Sequence, residues 1–339
     1  MSMKSVCLVG LLVVLPVIAR AQSPQPTAAT STWTAPRTSD GQPDLQGVWV
    51  NTSATPFERP AALAGKPFLT DEEVAELARR ADRIFKQGDA DLPIGDNLFL
   101  TALADAEAFR NPRGANRSSN FMVEREFDNR TSLIVDPPDG QLPRTTPQAE
   151  QRRAAARARD LAKEGPEDIN NRTRCVTPGV PRIGPGPSGD PLYGYHQIFQ
   201  SPGYVVVLME TFHDVRIVPL EKRPHLSRNT RQWIGDSRGW WDGDTLVIDT
   251  TNFSSQSNFL GSAENLHVVE RLTRVASEVI HYEVTIDDPT TWAKPWTAAL
   301  RLKQQQANIY EFACHEGNHN TMLSMLAVAR AEETAGANP

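Results

Sequence analysis

Several features that would name a chemistry are missing from this chain. No glycine-rich loop leads into a helix. The nearest approach, Gly184-Pro-Gly186-Pro, is a loop whose prolines remove the amide donors that a phosphate cradle needs, so nucleotide binding has no support. Asp236-Ser237-Arg238-Gly239 has no strand–serine–helix unit around it and does not read as a nucleophile elbow. Basic charge is in deficit, with 35 Lys and Arg against 41 Asp and Glu, which argues against nucleic acid or an anionic membrane surface as partner. The one long apolar run, Val6 to Ile18, is too short to span a bilayer comfortably. No internal repeat is apparent.

Cysteine is scarce too, with three residues in the chain. Lys4, the Val6–Ile18 run and Ala19-Arg20-Ala21 give the charged, apolar and small-x-small regions of a signal peptide. Residues 1–21 are therefore expected to be removed, leaving a periplasmic or secreted protein that starts at Gln22 and no longer touches the membrane. Cleavage takes Cys7, and no cysteine follows the cleavage point to carry a lipid. Losing Lys4 and Arg20 from 35 basic residues leaves 33 against 41 acidic, a mature charge of about −8. The two remaining thiols, Cys175 and Cys314, are expected to form a disulfide in an oxidising compartment. It would tie the middle of the chain to its end and stabilise by roughly 2–4 kcal/mol.

What the chain does have is an ordinary globular composition, 39% hydrophobic and 22% charged, with 26 prolines that imply many fixed loops. Residues 22–43 read as a flexible N-terminus, and residues 44–333 as one β-rich domain with a helical insertion at about 70–165. Gly47-Val-Trp49 resembles the first strand of lipocalin-like barrels, in which the tryptophan closes the floor. Thr70 and Glu73 make a capping box for a helix to Lys86, ended by Gly88, with Val74, Leu77, Ala81, Ile84 and Phe85 as its apolar stripe. Thr101–Phe109 has some helical character, and Thr146-Pro147 opens a nearly all-polar surface helix to about Lys163. Strands are expected at Arg130–Val135, Val205–Met209, Val215–Leu220, Thr245–Thr250, His267–Arg274, Val279–Ile286, Trp296–Leu302 and Asn308–Cys314. A short helix from Thr321 to Glu333, with Leu323, Leu326 and Ala327 inward, closes the chain. The fold expected is mainly β: an antiparallel lipocalin-like barrel or strongly curved sheet with helical insertions and a C-terminal helix.

Chemistry concentrates between Tyr195 and Phe253. His196 begins a strand beside Tyr195, Glu210, His213 and Asp214 crowd a turn, and Arg216 follows on the next strand. Two imidazoles beside carboxylates suit proton transfer near neutral pH. His196 and His213 are candidate acid and base, and Glu210 and Asp214 candidate orienters. Tyr195, Arg216, Asp236, Trp240 and Trp241 are candidate substrate contacts, with Arg216 as anion anchor and the tryptophans as a wall for a ring. An exposed hairpin tip at His213-Asp214 is the plainer alternative. Asp249 lies in an apolar strand and, if buried, needs a partner such as Arg216 or Arg271. His315-Glu316-Gly317-Asn318-His319 spells the zinc-protease H-E-x-x-H but follows a strand and carries Gly317 where a helix interior belongs, so a structural turn is preferred.

The runs Arg174-Cys-Val-Thr-Pro-Gly179, Ser201-Pro-Gly-Tyr-Val-Val-Val-Leu208, His213-Asp-Val-Arg-Ile-Val-Pro219, Gly235-Asp-Ser-Arg-Gly239, Gly243-Asp-Thr-Leu-Val-Ile-Asp-Thr-Thr-Asn-Phe253 and Cys314-His-Glu-Gly-Asn318 resemble a large family of secreted bacterial proteins over roughly Asp44 to Glu333. Many members carry tyrosine at the position of His319, which implies that His319 need not be a metal ligand. Three functions stay open. The first is a periplasmic lyase, isomerase or hydrolase using metal-free and cofactor-free acid–base chemistry on a small cyclic or glycosidic compound. The second is a non-catalytic barrel carrying an apolar ligand, and the third a zinc hydrolase built on His315, Glu316 and His319. Oligomeric state is not readable from the sequence.

Overall fold

A computed structural model of the chain describes residues 33–86, 90–111, 124–182, 194–221 and 223–336. The signal-peptide region, Gly88 and the Gly184-Pro-Gly186-Pro loop lie outside these residues. Apolar alternation organises the rest. β1 (Gly47–Asn51), β2 (Ile134–Asp136), β3 (Tyr195–Ser201), β4 (Tyr204–Met209), β5 (Val215–Pro219), β6 (Asp236–Asp242), β7 (Thr245–Thr251), β8 (His267–Ala276), β9 (Val279–Asp287) and β10 (Trp296–Gln305) all join one sheet. Nine of them run in the order β5-β4-β3-β1-β10-β9-β8-β7-β6, antiparallel throughout, and β2 pairs with the start of β10 beside β1. The sheet curls into a nearly closed barrel, as the sequence indicates.

Closure stops short at one seam. Among the described residues no backbone hydrogen bond joins β5 to β6. They meet through side chains instead: a Cβ on Gly239 would lie 2.8 Å from Val218 and 2.9 Å from Leu220, so only glycine permits this approach. Period-two alternation sends Ile280, Tyr282, Val284 and Ile286 of β9 inward with Val268 and Leu272 of β8 and Leu300 and Leu302 of β10. The polar phase of β9, His281 to Asp287, faces out and is half-buried. At one end Trp49 is fully buried, donates from Nε1 to the Leu45 carbonyl at 2.8 Å, and lies 5.3 Å below the Arg274 guanidinium.

The helical insertion has its own small core. α1 (Asp71–Ala81) starts on the Thr70/Glu73 capping box and runs on as a π-helical turn to Lys86, and its Leu77, Ile84 and Phe85 pack on α2 (Asn97–Leu103). α2 begins four residues before the helical stretch expected from the sequence. α3 (Pro147–Ala162) is capped by Thr146 and polar as expected, although Arg152 and Arg153 reach the carbonyls of Thr290 and Leu260. Cys175 and Cys314 form the expected disulfide, with Cα atoms 5.8 Å apart.

Three expectations shift. Asn308–Cys314 is irregular, because β10 already has partners on both edges and the segment is pinned by the disulfide and by Phe312 against Phe212 at 5.0 Å. α4 (Asn318–Gly336) starts three residues early and buries Leu326, while Leu323 and Ala327 are exposed, so its inward stripe is rotated. β6, which the Gly- and Trp-rich sequence hides, is a full strand.

Candidate functional site

β5, β6, β7, β8 and β9 each turn one polar side chain into the barrel, and these meet. The Arg216 guanidinium on β5 is 4% exposed and donates to both oxygens of Glu270 on β8, at 3.0 and 2.5 Å. The Tyr282 hydroxyl on β9 donates to Glu270 at 2.7 Å. Arg216 also reaches Thr250 Oγ1 at 3.1 Å and Ser237 Oγ at 3.3 Å, which bond to each other at 2.9 Å. Its Nε–H is buried without a partner. Burial would discharge the guanidinium, but Glu270 outweighs it and holds Arg216 more firmly protonated than usual. Burial, then Glu270, lifts Tyr282 well above the ordinary phenol range.

His196 on β3 completes the cluster. A carbonyl only accepts, so His196 Nδ1, 3.0 Å from the Gly194 oxygen, carries the proton and leaves Nε2 as a lone pair. Burial, then the charge of Arg182, pushes this ring down to about 4, so it is neutral at pH 7. His196, Arg182, Arg216, Glu270 and Tyr282 share one cavity of about 30 Å³, walled by Ile198, Val207 and Met209 among others. Arg182 in turn pairs with Asp214 at 2.5 Å, and Asp214 also accepts from Thr177 at 2.8 Å. Burial outweighs that pairing and leaves the Asp214 carboxyl above its usual range, while Arg182 falls to about 10.

The residues singled out from the sequence separate accordingly. His196 and Arg216 line the cavity, and Asp214 touches it through Arg182. His213 is exposed at a left-handed turn position, φ 54°, and the Glu210 carboxylate accepts from the Tyr310 amide at 3.4 Å. Tyr195 alternates with His196 and so faces the outer surface, where burial and Glu210 raise its phenol. Trp240 and Trp241 are both half-buried on opposite faces of β6, with Trp241 against the core. Gly235-Asp-Ser-Arg-Gly239 spells Gly-x-Ser-x-Gly, yet Ser237 sits inside β6 paired with β7, not at a strand-to-helix elbow. His315 lies outside α4 and His319 within its first turn, so the pair does not share a helical face. Among the described residues no three His, Cys, Asp or Glu side chains group to hold a metal ion.

The chain matches no protein-family model and no curated protein. What the site does has to be read from its own atoms.

A second cluster covers the outer face of the same strands. Asp236 on β6 accepts from His225 Nδ1 at 2.9 Å, and Asp249 on β7 lies 2.9 Å from His225 Nε2 and 3.0 Å from His267 Nε2 on β8. Arg238 anchors Asp236 at 2.6 Å. Asp249 thus takes histidines as partners, not Arg216 or Arg271; Arg271 pairs with Asp242. Burial works against the Asp249 carboxylate, but the hydrogen bonds from His267 and His225 prevail and hold it below its usual range, and the same bond raises His267. Glu270 and Tyr282 were within reach of sequence reasoning, as polar groups on the inward phase of otherwise apolar strands. His225, in a connector beside Pro224, carried no such mark.

Proposed function

We propose that the barrel is an acid–base enzyme of an extracytoplasmic compartment, a lyase or isomerase acting on a small cyclic carbonyl compound such as an oxidised sugar. One observation carries this reading: a neutral His196, its tautomer fixed by the Gly194 carbonyl, lines the same cavity as Arg216, whose Nε–H is buried without a partner. A base this weak removes only a proton whose anion is stabilised at once. A carbon acid beside a carbonyl meets that condition. Nε2 takes the proton, the electron pair moves onto the carbonyl oxygen, and the Arg216 N–H, with Arg182 nearby, receives the enolate. Where the acidic carbon bears a hydroxyl, the O–H proton passes to the enolate oxygen as the imidazolium protonates the former carbonyl carbon, which moves the carbonyl one carbon along. Where the β carbon bears a leaving group, the enolate re-forms the carbonyl, the bond to that group breaks as a C=C bond forms, and the imidazolium gives the departing group its proton. Asp214 holds Arg182, and Glu270 and Tyr282 hold Arg216.

The lining also separates this reading from a carrier. Beside its apolar residues the cavity is lined by two guanidiniums, a carboxylate, a phenol and an imidazole, polar groups that a carrier of an apolar ligand does not need. The disulfide suits an oxidising compartment, and the secretory features at residues 1–21 point the same way. The test is solvent-deuterium incorporation next to the carbonyl across a panel of cyclic ketones and keto-sugars, followed by NMR. Incorporation or elimination is expected with the native chain and a loss of roughly 100-fold or more in His196→Gln. An equal rate in a folded His196→Gln protein would overturn the assignment.

A further inference from the structure

Period-two alternation sets the outer face of each strand as well as the inner one, and the outer walls of this barrel differ. Across β8, β9 and β10 the outward positions are charged: Arg271 stands beside Glu283, and His281 beside Arg301. Across β3, β4 and β5 they are apolar. Phe199, Val206 and Ile217 form one row, Leu208 and Val215 lie in the next, and Tyr204 in a third. Phe199, Tyr204 and Val215 are exposed, and Ile217 is 62% exposed. Gln197 and Ser201 are polar members of these rows, and no charged side chain stands in them. We propose that this wall is the interface of a homodimer, in which β3, β4 and β5 of one chain pack on the same strands of a second copy.

Size and charge both point to a second copy. Three strands about 4.8 Å apart and three rows about 6.8 Å apart cover roughly 300 Å² in projection, the size at which an apolar patch on a soluble protein often has a function. A standard interface takes about 800 Å² from each partner, little more than half of it apolar. Side-chain relief raises the accessible area of the wall above its projection and toward that apolar share, with Gln197, Gln200 and Ser201 as polar rim. In a two-fold dimer a side chain near the axis meets its own copy. A charged wall such as that of β8 to β10 repels itself there, whereas the charge-free wall does not. Two sheet faces also fit each other without grooves, packing about 10 Å apart. An added peptide strand needs an open edge, but the free side of β5 lies against β6, where Val218 and Leu220 crowd Gly239. The acidic excess of the chain works against an anionic membrane. The inner face of the same strands carries His196, Met209 and Arg216, so the second copy backs the wall that holds them. The dimer does not depend on the enzymatic reading above.

Sedimentation of the exported chain tests this. A dimer that forms at roughly micromolar concentration is expected, the weak end for an interface of this size. Ile217→Glu and Phe199→Glu each set a charge against its own copy and are expected to weaken the dimer about 30-fold or more. Glu283→Arg, on the charged wall, is expected to leave it unchanged. A native chain that stays monomeric to about 100 µM, well above that range, overturns the proposal, and so does a dimer undiminished by Ile217→Glu and Phe199→Glu. Both residues are exposed, so the new carboxylates reach water in the monomer. Should circular dichroism show that these variants do not fold, Ile217→Thr keeps the β-branched shape and is expected to weaken the dimer about fivefold, the low end for a buried contact made polar; no weakening overturns the proposal. A chain that is monomeric alone but floats with phosphatidylcholine vesicles gives the wall to a membrane and overturns the dimer.

Discussion

Two clusters of cations and carboxylates lie back to back on β6, β7 and β8, separated by the thickness of the sheet and differing mainly in access to water. Inside, the Arg216 and Glu270 side chains are 4% and 5% exposed. Outside, His225, Asp249 and His267 are 28%, 22% and 40% exposed, over an Asp236 that is 5% exposed. The residue types overlap, but both histidines and Asp249 meet solvent while the inner pair does not. A low-dielectric interior makes a satisfied pair rigid and a broken one expensive. A wet face makes the same contacts cheap to break and responsive to pH.

The sharpest way to break this contrast is to remove Glu270. Glu270→Ala strands a buried guanidinium and the Tyr282 hydroxyl, and is expected to cost about 3–5 kcal/mol in urea unfolding. Replacing Arg216 and Glu270 together by methionine should recover most of that loss, because two desolvated charges then disappear at once. A Glu270→Ala cost below about 1 kcal/mol would mean that water reaches the cluster and that the interior is not dry.

The next contrast is in sign. His196 is about 4 in the fold and near 6.5 when unfolded. Below pH 6.5 the unfolded chain therefore binds a proton that the native ring refuses, and stability falls by about 3 kcal/mol as pH drops from 6.5 to 4. His267 is raised, so its contribution is fully present below its unfolded value and is lost as pH rises through its folded value. Acidification thus works against the inner ring and for the outer one. His196→Gln should flatten the acid limb of the stability profile, and His267→Gln the limb above neutrality. If both substitutions flatten the same limb, the inside–outside assignment of the two rings is wrong.

How much of this was legible depended on whether a signal was periodic. The alternation in Val279–Ile286 and the unbroken apolar run Val205–Met209 gave strands that the fold contains, and Thr70 with Glu73 fixed the start of α1. The Cys175–Cys314 bridge followed from counting alone. Density of titratable groups was less informative than their phase. His196 and Arg216 stand on inward positions, whereas His213, a near neighbour of Arg216 in sequence, sits on a turn where no alternation applies. Glu270 and Tyr282 come from strands more than 50 residues after Arg216, and only the closing of the sheet makes them its partners. His225 shows the limit most plainly. A connector histidine takes its meaning from where the connector lies, which depends on tertiary packing and not on local pattern.

The smallest effect is the most discriminating for the outer face. Asp249→Asn keeps the shape of the side chain but removes the charge shared by His225 and His267. Its single carbonyl oxygen can accept from one ring, and its amide then turns toward the other, repelling an N–H donor. At pH 6, with His267 protonated, the expected cost is below about 1 kcal/mol, because each bond is partly in water. As pH rises and His267 loses its proton, that ring can accept from the new amide, and the cost should shrink toward zero. Measured beside Glu270→Ala under the same conditions, the two substitutions should differ several-fold at pH 6 and diverge further at pH 8. A cost for Asp249→Asn that rivals Glu270→Ala, or that grows as pH rises, would place the outer carboxylate in an environment as dry as the interior and would remove the basis for treating the two faces differently.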